Sequence, residues 1–143
     1  MSLQVVVLNE SEVIAALDRA GIKPRMVLDK AVRAAAELVR AAAVPNAPGP
    51  SISTEKSDES GATSVTYDVG PDREHWYYRF AETGTQAHQV TPGEARALRI
   101  DDRFVARVRH PGTAARPFLR PAIDENEQRA ADAAGAVIRD ALV

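Results

Sequence analysis

The chain contains no cysteine, few aromatic residues and no long hydrophobic run. Without cysteine it can form neither a disulfide nor a thiolate zinc site, and nothing points to export into an oxidising compartment. Residues 1–8 carry no basic region, and Gln4 interrupts their apolar run, so we expect neither a signal peptide nor a membrane span. These absences predict a soluble protein that remains where it is made.

The scarcity of aromatic side chains also predicts a modest core. Aromatic residues make up 5% of the 143 residues, whereas alanine is abundant, and alanine-rich helices pack closely but bury little surface each. The length favours a single domain spanning residues 1–143. We therefore expect one domain whose core is completed by a partner subunit.

Charge is distributed unevenly along the chain. The net charge is -2, yet residues 96–120 hold seven arginines against two aspartates, a local charge of +5, which leaves -7 for the remainder. Such segregation favours one basic and one acidic surface, for an anionic partner or for head-to-tail contacts between copies. Interleaving of the charges in space is the alternative.

Two amphipathic helices are predicted in the first third of the chain. Asn9 and Glu12 have the spacing of a capping box for a first helix to about Ala20, and Pro24 opens a second helix to about Val44. The predicted apolar face of the second helix is Val27, Ala31, Ala34, Leu38 and Ala42, and its polar face is Asp29, Arg33, Glu37 and Arg40. Because the polar face alternates in sign, we expect this helix to lie on a sheet rather than on a membrane.

Residues 45–62 are predicted to form a flexible loop or hairpin arm. Prolines end the preceding helix, and the segment is rich in serine and acid. Residues 51–57 and 62–69 can pair as strands, since apolar and polar side chains alternate in the second of them. A further short strand is predicted over residues 3–8.

Four of the seven aromatic residues fall within five positions, at Trp76, Tyr77, Tyr78 and Phe80. Such a cluster can anchor an interface or stack on nucleic-acid bases. Because the chain has few other large side chains with which to fill a core, the core interpretation is favoured.

A basic hairpin is predicted over residues 95–109, with strands at 95–100 and 103–109 that turn at Asp101 and Asp102. Its apolar face would hold Leu98, Ile100, Phe104, Ala106 and Val108, and its other face Arg99, Arg107 and Arg109.

A final helix is predicted to start between Pro117 and Pro121 and to run to the end of the chain. Its apolar positions keep a helical period: Phe118, Leu119, Ala122, Ile123, Asn126, Ala130, Ala134, Val137, Ile138 and Ala141.

The sequence predicts no catalytic, metal or cofactor site, and we expect a protein that is not an enzyme. His75, His88 and His110 do not have the spacing of a metal site. Glu82 is predicted to be a structural acid that accepts backbone hydrogen bonds in the turn at 83–85. An enzyme would require His88, His110 and Glu82 to meet in one pocket.

The order of these parts resembles a known family, the small head-tail junction proteins of long-tailed bacteriophages, called neck, head-tail connector or tail-completion proteins (gene-product-ten-like). The resemblance covers nearly the full length. It rests on the helix pair and proline loop at 17–48, YYRFAETGT at 77–85, AHQVTP at 87–92, VRHPGT at 108–113 and RPFLRPA at 116–122.

The resemblance implies an α+β fold, in which N-terminal helices and a long C-terminal helix pack on a small mixed or antiparallel sheet with a protruding loop or hairpin arm. It implies a non-enzymatic structural subunit without a cofactor, located in the virion and assembled in the bacterial host cytoplasm. The implied partners are copies of itself in a six-fold or twelve-fold ring, the portal-side connector, and the tail-tube or terminator proteins. DNA would pass through the lumen as nonspecific cargo, and no membrane is involved.

Arginines are the residues predicted to face an interface or the lumen: Arg99, Arg107, Arg109, Arg116 and Arg120. The alternative function is a nucleic-acid-binding module that uses the basic hairpin 95–109. The sequence pI of about 5.9 disfavours this alternative, because such domains are usually basic as a whole.

Overall fold

A long helix, α2, contacts both a small antiparallel sheet and the C-terminal helices. The computed structural model describes residues 2–3, 10–58, 60 and 64–143. The helices are α1 (Glu10–Arg19), α2 (Pro24–Ala43), α3 (Arg79–Thr83), α4 (Leu119–Asp124) and α5 (Glu127–Ala141), with short 3-10 helices at Val44–Asn46 and Trp76–Tyr78. The strands are β1 (Ser2–Leu3), β2 (Ile52–Lys56), β3 (Tyr67–Pro71), β4 (His88–Val90), β5 (Leu98–Ile100), β6 (Arg103–Val105) and β7 (Val108–His110). This is the predicted α+β fold.

The N-terminal helices begin and end close to their predicted positions. Pro24 occupies the first turn of α2, where its missing N–H is not needed, and α2 ends one residue before the predicted Val44. In α1, Leu17 is fully buried and belongs to the hydrophobic core that also contains the buried residues of α2. Asn9 of the predicted capping box, and most of the predicted strand at 3–8, lie outside the described residues.

The buried face of α2 differs from the predicted one. Ala34, Leu38 and Ala42 are only half-buried, whereas the buried positions are Val27, Leu28, Ala31, Val32, Ala35, Ala36, Val39 and Ala43. At 100° per residue these positions cover about half of the helix circumference. The arc is wide because α2 packs against α5 and α4 as well as against β2 and β3. The predicted face is therefore correct at Val27 and Ala31 and in its contact with a sheet, and wrong at its other three positions.

Small side chains allow α2 and α5 to approach closely. Ala35 and Ala36 on α2 are fully buried, and Ala130 and Ala134 on α5 are nearly so. Among the described elements, α5 is the most extensive partner of α2. The alanine bias therefore builds the main helix–helix contact of the core.

The first sheet has the strand order β1-β3-β2 and is antiparallel throughout. As predicted, the strand within residues 51–57 pairs with a strand that follows it in the chain. The partner strand lies further along the chain than the predicted 62–69, with Ile52 opposite Pro71 and Lys56 opposite Tyr67. Because Ile52 is buried against α2, β2 belongs to the folded body, although it lies within the predicted arm at 45–62.

The predicted hairpin over residues 95–109 is divided between two separate ribbons. β5 and β6 form a hairpin that turns at Asp101 and Asp102, but β7 pairs with β4. A backbone bridge between Thr85 and Thr113 extends the β4–β7 pairing, so the chain has to leave the hairpin after Val105. We call residues 98–105 the hairpin arm.

The faces of the hairpin arm also differ from the prediction. Arg99 lies opposite Phe104, and Leu98 opposite Val105. Directly opposed side chains share a face, so Phe104 lies on the face of Arg99 and not with Leu98 and Ile100.

The predicted C-terminal helix is broken once. Helix α4 starts at Leu119, between the two prolines as predicted, and ends at Asp124, and α5 begins at Glu127. The break is stabilised by Asn126, which is buried and donates from Nδ2 to the carbonyl oxygen of Ala122 at 3.0 Å. Its periodic apolar positions are correct, since Phe118, Leu119, Ala122, Ala130, Ala134 and Ile138 are all buried.

Candidate interaction site

Two glycine-containing turns, at residues 83–85 and 110–113, lie against each other. Thr85 and Thr113 exchange both backbone hydrogen bonds, with N···O distances of 2.9 and 3.0 Å. Gly84 and Gly112 have φ values of 70° and 87°, which other residues rarely adopt. A Cβ at Gly84 would lie 2.7 Å from the Thr113 carbonyl oxygen, and a Cβ at Gly112 would overlap that of Thr85. Both turns therefore require glycine, for conformation and for close approach.

Glu82 joins these turns to the start of α4. Its Oε2 accepts hydrogen bonds from the backbone N–H groups of Phe118 at 2.7 Å and Leu119 at 2.8 Å, and its Oε1 accepts from that of Arg120 at 2.9 Å. The first N–H groups of a helix have no acceptor within the helix, and a carboxylate satisfies them. Glu82 is thus a structural acid as predicted, but its partners belong to α4 and not to the turn at 83–85.

The environment of Glu82 acts on its acidity in two opposite directions. Partial burial disfavours the charged carboxylate, but the backbone N–H groups of Leu119, Phe118 and Arg120 together with the Arg120 charge outweigh burial, so the pKa of Glu82 is held below its usual value. Glu82 is therefore ionised at neutral pH, as a helix-capping carboxylate requires.

The arginines predicted to form one ribbon are exposed but separate. Arg99 lies on the hairpin arm, where its Nε donates to the Asp101 carbonyl oxygen at 3.1 Å and its Nη2 lies 3.5 Å from Asp102 Oδ1. Arg107 lies in the connection that follows the arm, and Arg109 lies on β7. The predicted alignment of Arg99, Arg107 and Arg109 on one hairpin face is wrong, because β7 pairs with β4.

The other two predicted arginines flank the start of α4. Arg116 and Arg120 are both exposed. The backbone N–H of Arg116 donates to the Ala81 carbonyl oxygen at 2.6 Å, and that of Arg120 donates to Glu82. We call the two turns at 83–85 and 110–113, together with Glu82 and the start of α4, the junction of turns. It fixes the backbones of Arg116 and Arg120 and leaves their side chains at the surface.

The structure brings two of the three histidines together. His88 and His110 are opposite residues of β4 and β7, with ring centroids 5.1 Å apart. The Nδ1 of His88 lies 2.9 Å from the Gln86 carbonyl oxygen, and the Nδ1 of His110 accepts the Gly112 N–H at 3.1 Å. Within the described part of the chain, no group of three or more His, Asp or Glu side chains could hold a metal ion.

Within the described residues, Glu82 is hydrogen-bonded to neither His88 nor His110. His88 and His110 are neighbours, but the carboxylate oxygens of Glu82 are occupied by the N–H groups of α4. Glu82 therefore caps a helix and is not paired with the two histidines.

The aromatic cluster lies mostly at the surface, contrary to the core interpretation. Trp76 is 52% exposed, Tyr77 50% and Phe80 39%, whereas Tyr78 alone is buried. The guanidinium of Arg79 lies 5.0 Å from the ring centroids of both Trp76 and Phe80, in cation–π geometry. We call Trp76, Tyr77 and Phe80 the aromatic patch.

The sequence carried a signal for this exposure. Residues 76–80 are helical, and five consecutive helical positions point around the whole circumference. Four large rings in such a run cannot all face one core. Only Tyr78 points inward, where its ring packs against Gly49 of the proline loop.

A groove of about 300 Å³ runs beside the aromatic patch. Its floor is the face of the first sheet turned away from α2, since Ser53 opposes Gly70 and Glu55 opposes Asp68 on that face. Trp76 lines one side of it. The alternate residues of the same strands face α2, so the sheet is covered on that face by α2, and its other face forms the floor of the groove.

Asp72 fixes the start of the aromatic segment at the end of this groove. Its carboxylate accepts the His75 backbone N–H at 2.8 Å and lies 2.6 Å from the His75 ring Nδ1. The hydrogen bond from the His75 side chain is the main cause that lowers the pKa of Asp72. Asp72 thereby orients the turn that presents Trp76.

No protein-family model, no curated protein and no solved structure matches this chain. Among the residues that the structure describes, no helix combines the length and the hydropathy needed to cross a bilayer.

Large apolar side chains are exposed both on the aromatic patch and on the hairpin arm. Exposed aromatic rings beside arginine are typical of interface anchors. The hairpin arm exposes one large apolar side chain on each of its faces, Phe104 at 73% and Ile100 at 44% exposure.

Proposed function

We propose that this protein is a non-enzymatic structural subunit of a phage or prophage virion, which forms a ring at the head-tail junction and joins the connector to the tail tube. The observation that carries the proposal is the junction of turns described above. The motifs on which the family resemblance rests, at 77–85, 108–113 and 116–122, form one unit hydrogen-bonded through Glu82 and the Thr85–Thr113 bridge.

A structural subunit needs a fixed frame and exposed contact surfaces, and the chain has both. The junction of turns fixes α4 and the β4–β7 ribbon relative to the aromatic segment. The aromatic patch, the hairpin arm and the exposed arginines Arg99, Arg107, Arg109, Arg116 and Arg120 supply the surfaces. Charge segregated along the chain supports head-to-tail contacts between copies.

The proposed partners are other copies of the chain in a six-fold or twelve-fold ring, the portal-side connector, and the tail-tube or terminator proteins. The proposed location is the head-tail junction of the virion, after assembly in the bacterial host cytoplasm, with DNA passing through the lumen without specific recognition. The neighbouring genes provide a direct check, because portal, capsid and tail-tube genes beside this one are expected.

Light scattering and electron microscopy of the purified protein, with and without a connector ring, test the proposal. We expect a monomer alone and a ring on the connector. A chain that remains monomeric and never joins the connector would contradict it.

The second candidate is a nucleic-acid-binding module that uses the basic hairpin 95–109. One observation favours it: Arg99 and Phe104 share a face of the hairpin arm, and single-stranded nucleic acids bind to surfaces that combine aromatic rings with arginine. A salt-dependent DNA titration of the wild type and of the triple variant Arg99→Glu, Arg107→Glu, Arg109→Glu distinguishes the candidates. Strong binding that is lost in the variant and weakens steeply with salt would favour this second function.

A further inference from the structure

We propose that Ser51, His75 and Asp72 form a nucleophilic triad, in which the Ser51 hydroxyl takes up the acyl group of a small activated ester. The inference goes beyond the proposed function, because it assigns a covalent modification site to the subunit and does not depend on a ring. All three residues lie within the described part of the chain.

The three side chains are in contact in the order that a nucleophilic serine requires. The Ser51 Oγ lies 3.5 Å from the His75 Nε2, and the His75 Nδ1 lies 2.6 Å from the Asp72 Oδ1. A hydroxyl at one imidazole nitrogen, with a carboxylate at the other, is the arrangement in which histidine activates serine for acyl transfer. The Ser51–His75 contact is at the long end of a hydrogen bond, as such contacts often are before a substrate is bound.

The carboxylate of Asp72 decides which nitrogen of His75 carries the proton. An ionised carboxylate only accepts hydrogen bonds, so the His75 Nδ1 donates to Asp72 and the neutral ring keeps its lone pair on Nε2. Nε2 is the atom that faces the Ser51 hydroxyl. The hydrogen bond from the His75 side chain lowers the pKa of Asp72, which keeps this carboxylate ionised at neutral pH. His75 is therefore held in the tautomer that accepts a proton from Ser51.

Backbone contacts hold the triad at the end of the first sheet. The Asp72 N–H donates to the Ser51 carbonyl oxygen at 3.2 Å, one step beyond the paired residues of β2 and β3. The Asp72 Oδ1 also accepts the His75 backbone N–H at 2.8 Å. The His75 ring centroid lies 5.3 Å from that of the buried Tyr78. The fold therefore positions the nucleophile, the base and the carboxylate relative to one another.

The triad is partly open to solvent. The side chains of His75 and Asp72 are 30% and 37% exposed, and Ser51 is half-buried. Asp72 and Trp76 also line the groove of about 300 Å³ beside the aromatic patch, so the groove adjoins the triad. A groove of this volume is at the small end of ligand sites, and the Trp76 ring offers an apolar wall for an aryl group. The substrate class is therefore a small aryl ester.

In the acyl transfer, one bond to carbon forms and one breaks. The Ser51 Oγ bonds to the carbonyl carbon of the ester while its proton passes to the His75 Nε2. The bond between that carbon and the phenol oxygen then breaks, and the leaving oxygen keeps the electron pair and takes up the proton from Nε2. The products are acyl-Ser51 and a phenol, with His75 neutral again. The proposal ends at this acyl-serine, so it requires no turnover from a subunit that is otherwise structural.

Labelling of the full chain with an alkyl fluorophosphonate tests the proposal, because this reagent modifies activated serines and leaves ordinary hydroxyls intact. The Ser51 Oγ bonds to phosphorus, fluoride leaves with the electron pair of the P–F bond, and the serine proton passes to His75. We expect one phosphonyl group per chain, located on Ser51 by mass spectrometry of its peptides, and an acetyl group on the same residue from p-nitrophenyl acetate. A wild-type chain that takes up no label, or that is labelled on several serines at equal rates, would overturn the proposal.

Two serine variants form a matched pair. Ser51→Ala removes the nucleophile and should abolish labelling, whereas Ser53→Ala, two positions further along the chain on β2, should be labelled at the wild-type rate. His75→Gln should slow labelling by about tenfold or more, because the general base is lost. Labelling of folded His75→Gln at the wild-type rate would overturn the triad. The wild-type experiment decides the identity of the nucleophile even where a variant fails to fold.

Asp72 acts through His75 and is a positioning residue, so its variant needs a spectroscopic readout. Asp72→Asn keeps an oxygen that accepts the His75 backbone N–H but loses the charge that fixes the Nδ1 proton. We expect slower labelling of Ser51, together with a change in the nitrogen NMR shifts of the His75 ring, which report the nitrogen that carries the proton. Unchanged labelling with unchanged ring shifts would overturn the assigned role of Asp72.

These experiments can fail separately from the proposed function. A chain that is labelled on Ser51 but never joins a connector would support the triad and contradict the virion role. A chain that forms a ring on the connector but takes up no label would support the virion role and overturn the triad.

Discussion

The Oε2 atom of Glu82 lies 2.8 Å from the backbone nitrogen of Leu119, across 37 positions of the chain. This contact fixes the start of α4 to the end of the aromatic segment. Together with the Thr85–Thr113 bridge it connects the stretches that stand out in the sequence between Arg79 and Pro121.

Replacing Glu82 should destabilise the fold. Glu82→Gln removes the charge and one of the two acceptor oxygens that hold three N–H groups, and we expect it to lower the free energy of unfolding by about 1–3 kcal/mol at neutral pH. Urea unfolding measures the difference. Glu94→Gln, at an exposed loop position, is the matched control and should leave the stability unchanged.

The effect of Glu82 should depend on pH with a definite sign. The pKa of Glu82 is lowered in the folded state, so the charged carboxylate stabilises the fold more than the neutral carboxyl does. The stabilisation is present above the carboxyl pKa of the unfolded chain and is lost as the pH falls through the lower folded pKa. The difference between wild type and Glu82→Gln should therefore shrink on acidification; a difference that stays constant would contradict this role.

The two glycine turns offer a test of backbone strain. Gly112→Ala would force a side chain into the left-handed region and against the Thr85 carbonyl oxygen, and we expect a loss of about 1–3 kcal/mol. Gly93→Ala meets no atom within 4 Å and should change the stability far less. Thermal unfolding of both variants checks this, and equal melting temperatures would contradict the packed junction.

Asp29 links α2 to the sheet. The Lys56 ammonium, which is hydrogen-bonded to Asp29, is the main cause that lowers the pKa of the carboxyl, and the Tyr67 hydroxyl adds a hydrogen bond at 3.2 Å. Asp29→Asn should cost about 0.5–1 kcal/mol, because the pair is partly exposed. The cost should be present at neutral pH and should disappear as the pH falls through the folded pKa of Asp29. Asp140→Asn at the end of α5 is the control.

Trp76 and Tyr78 are close in sequence, but truncation of each should change the stability by a different amount. Tyr78→Ala empties a buried site and should destabilise the fold by about 3 kcal/mol. Trp76→Ala removes a half-exposed ring and should cost less than about 1 kcal/mol. Urea unfolding of both variants checks this, and a loss in Trp76→Ala as large as that in Tyr78→Ala would place the Trp76 ring in the core and not at the surface.

Local patterns in the sequence predicted the helices well. Pro24 marked the start of α2, and the helical period after Leu119 named most of the buried residues of α4 and α5. These features depend on near neighbours in the chain. The face of α2 was mispredicted because two different layers pack on it, which no pattern within the helix records.

The site was harder to predict because it depends on contacts between distant residues. Glu82 was recognised as a structural acid, but its partners lie more than 30 positions away. The basic hairpin was mispredicted because β7 can pair with either β6 or β4, and the Thr85–Thr113 bridge decides for β4. The exposure of Trp76 and Phe80 follows from simple helix geometry, whereas the groove beside them depends on the sheet.

Electron microscopy of the purified protein mixed with the connector ring encoded beside it tests the central claim most directly. The account predicts that the wild type adds a ring of density of six-fold or twelve-fold symmetry to the tail-facing end of the connector, and that Trp76→Ala does not. Connectors that stay bare with the wild-type protein at saturating concentration, while the protein itself is folded, would contradict the claim.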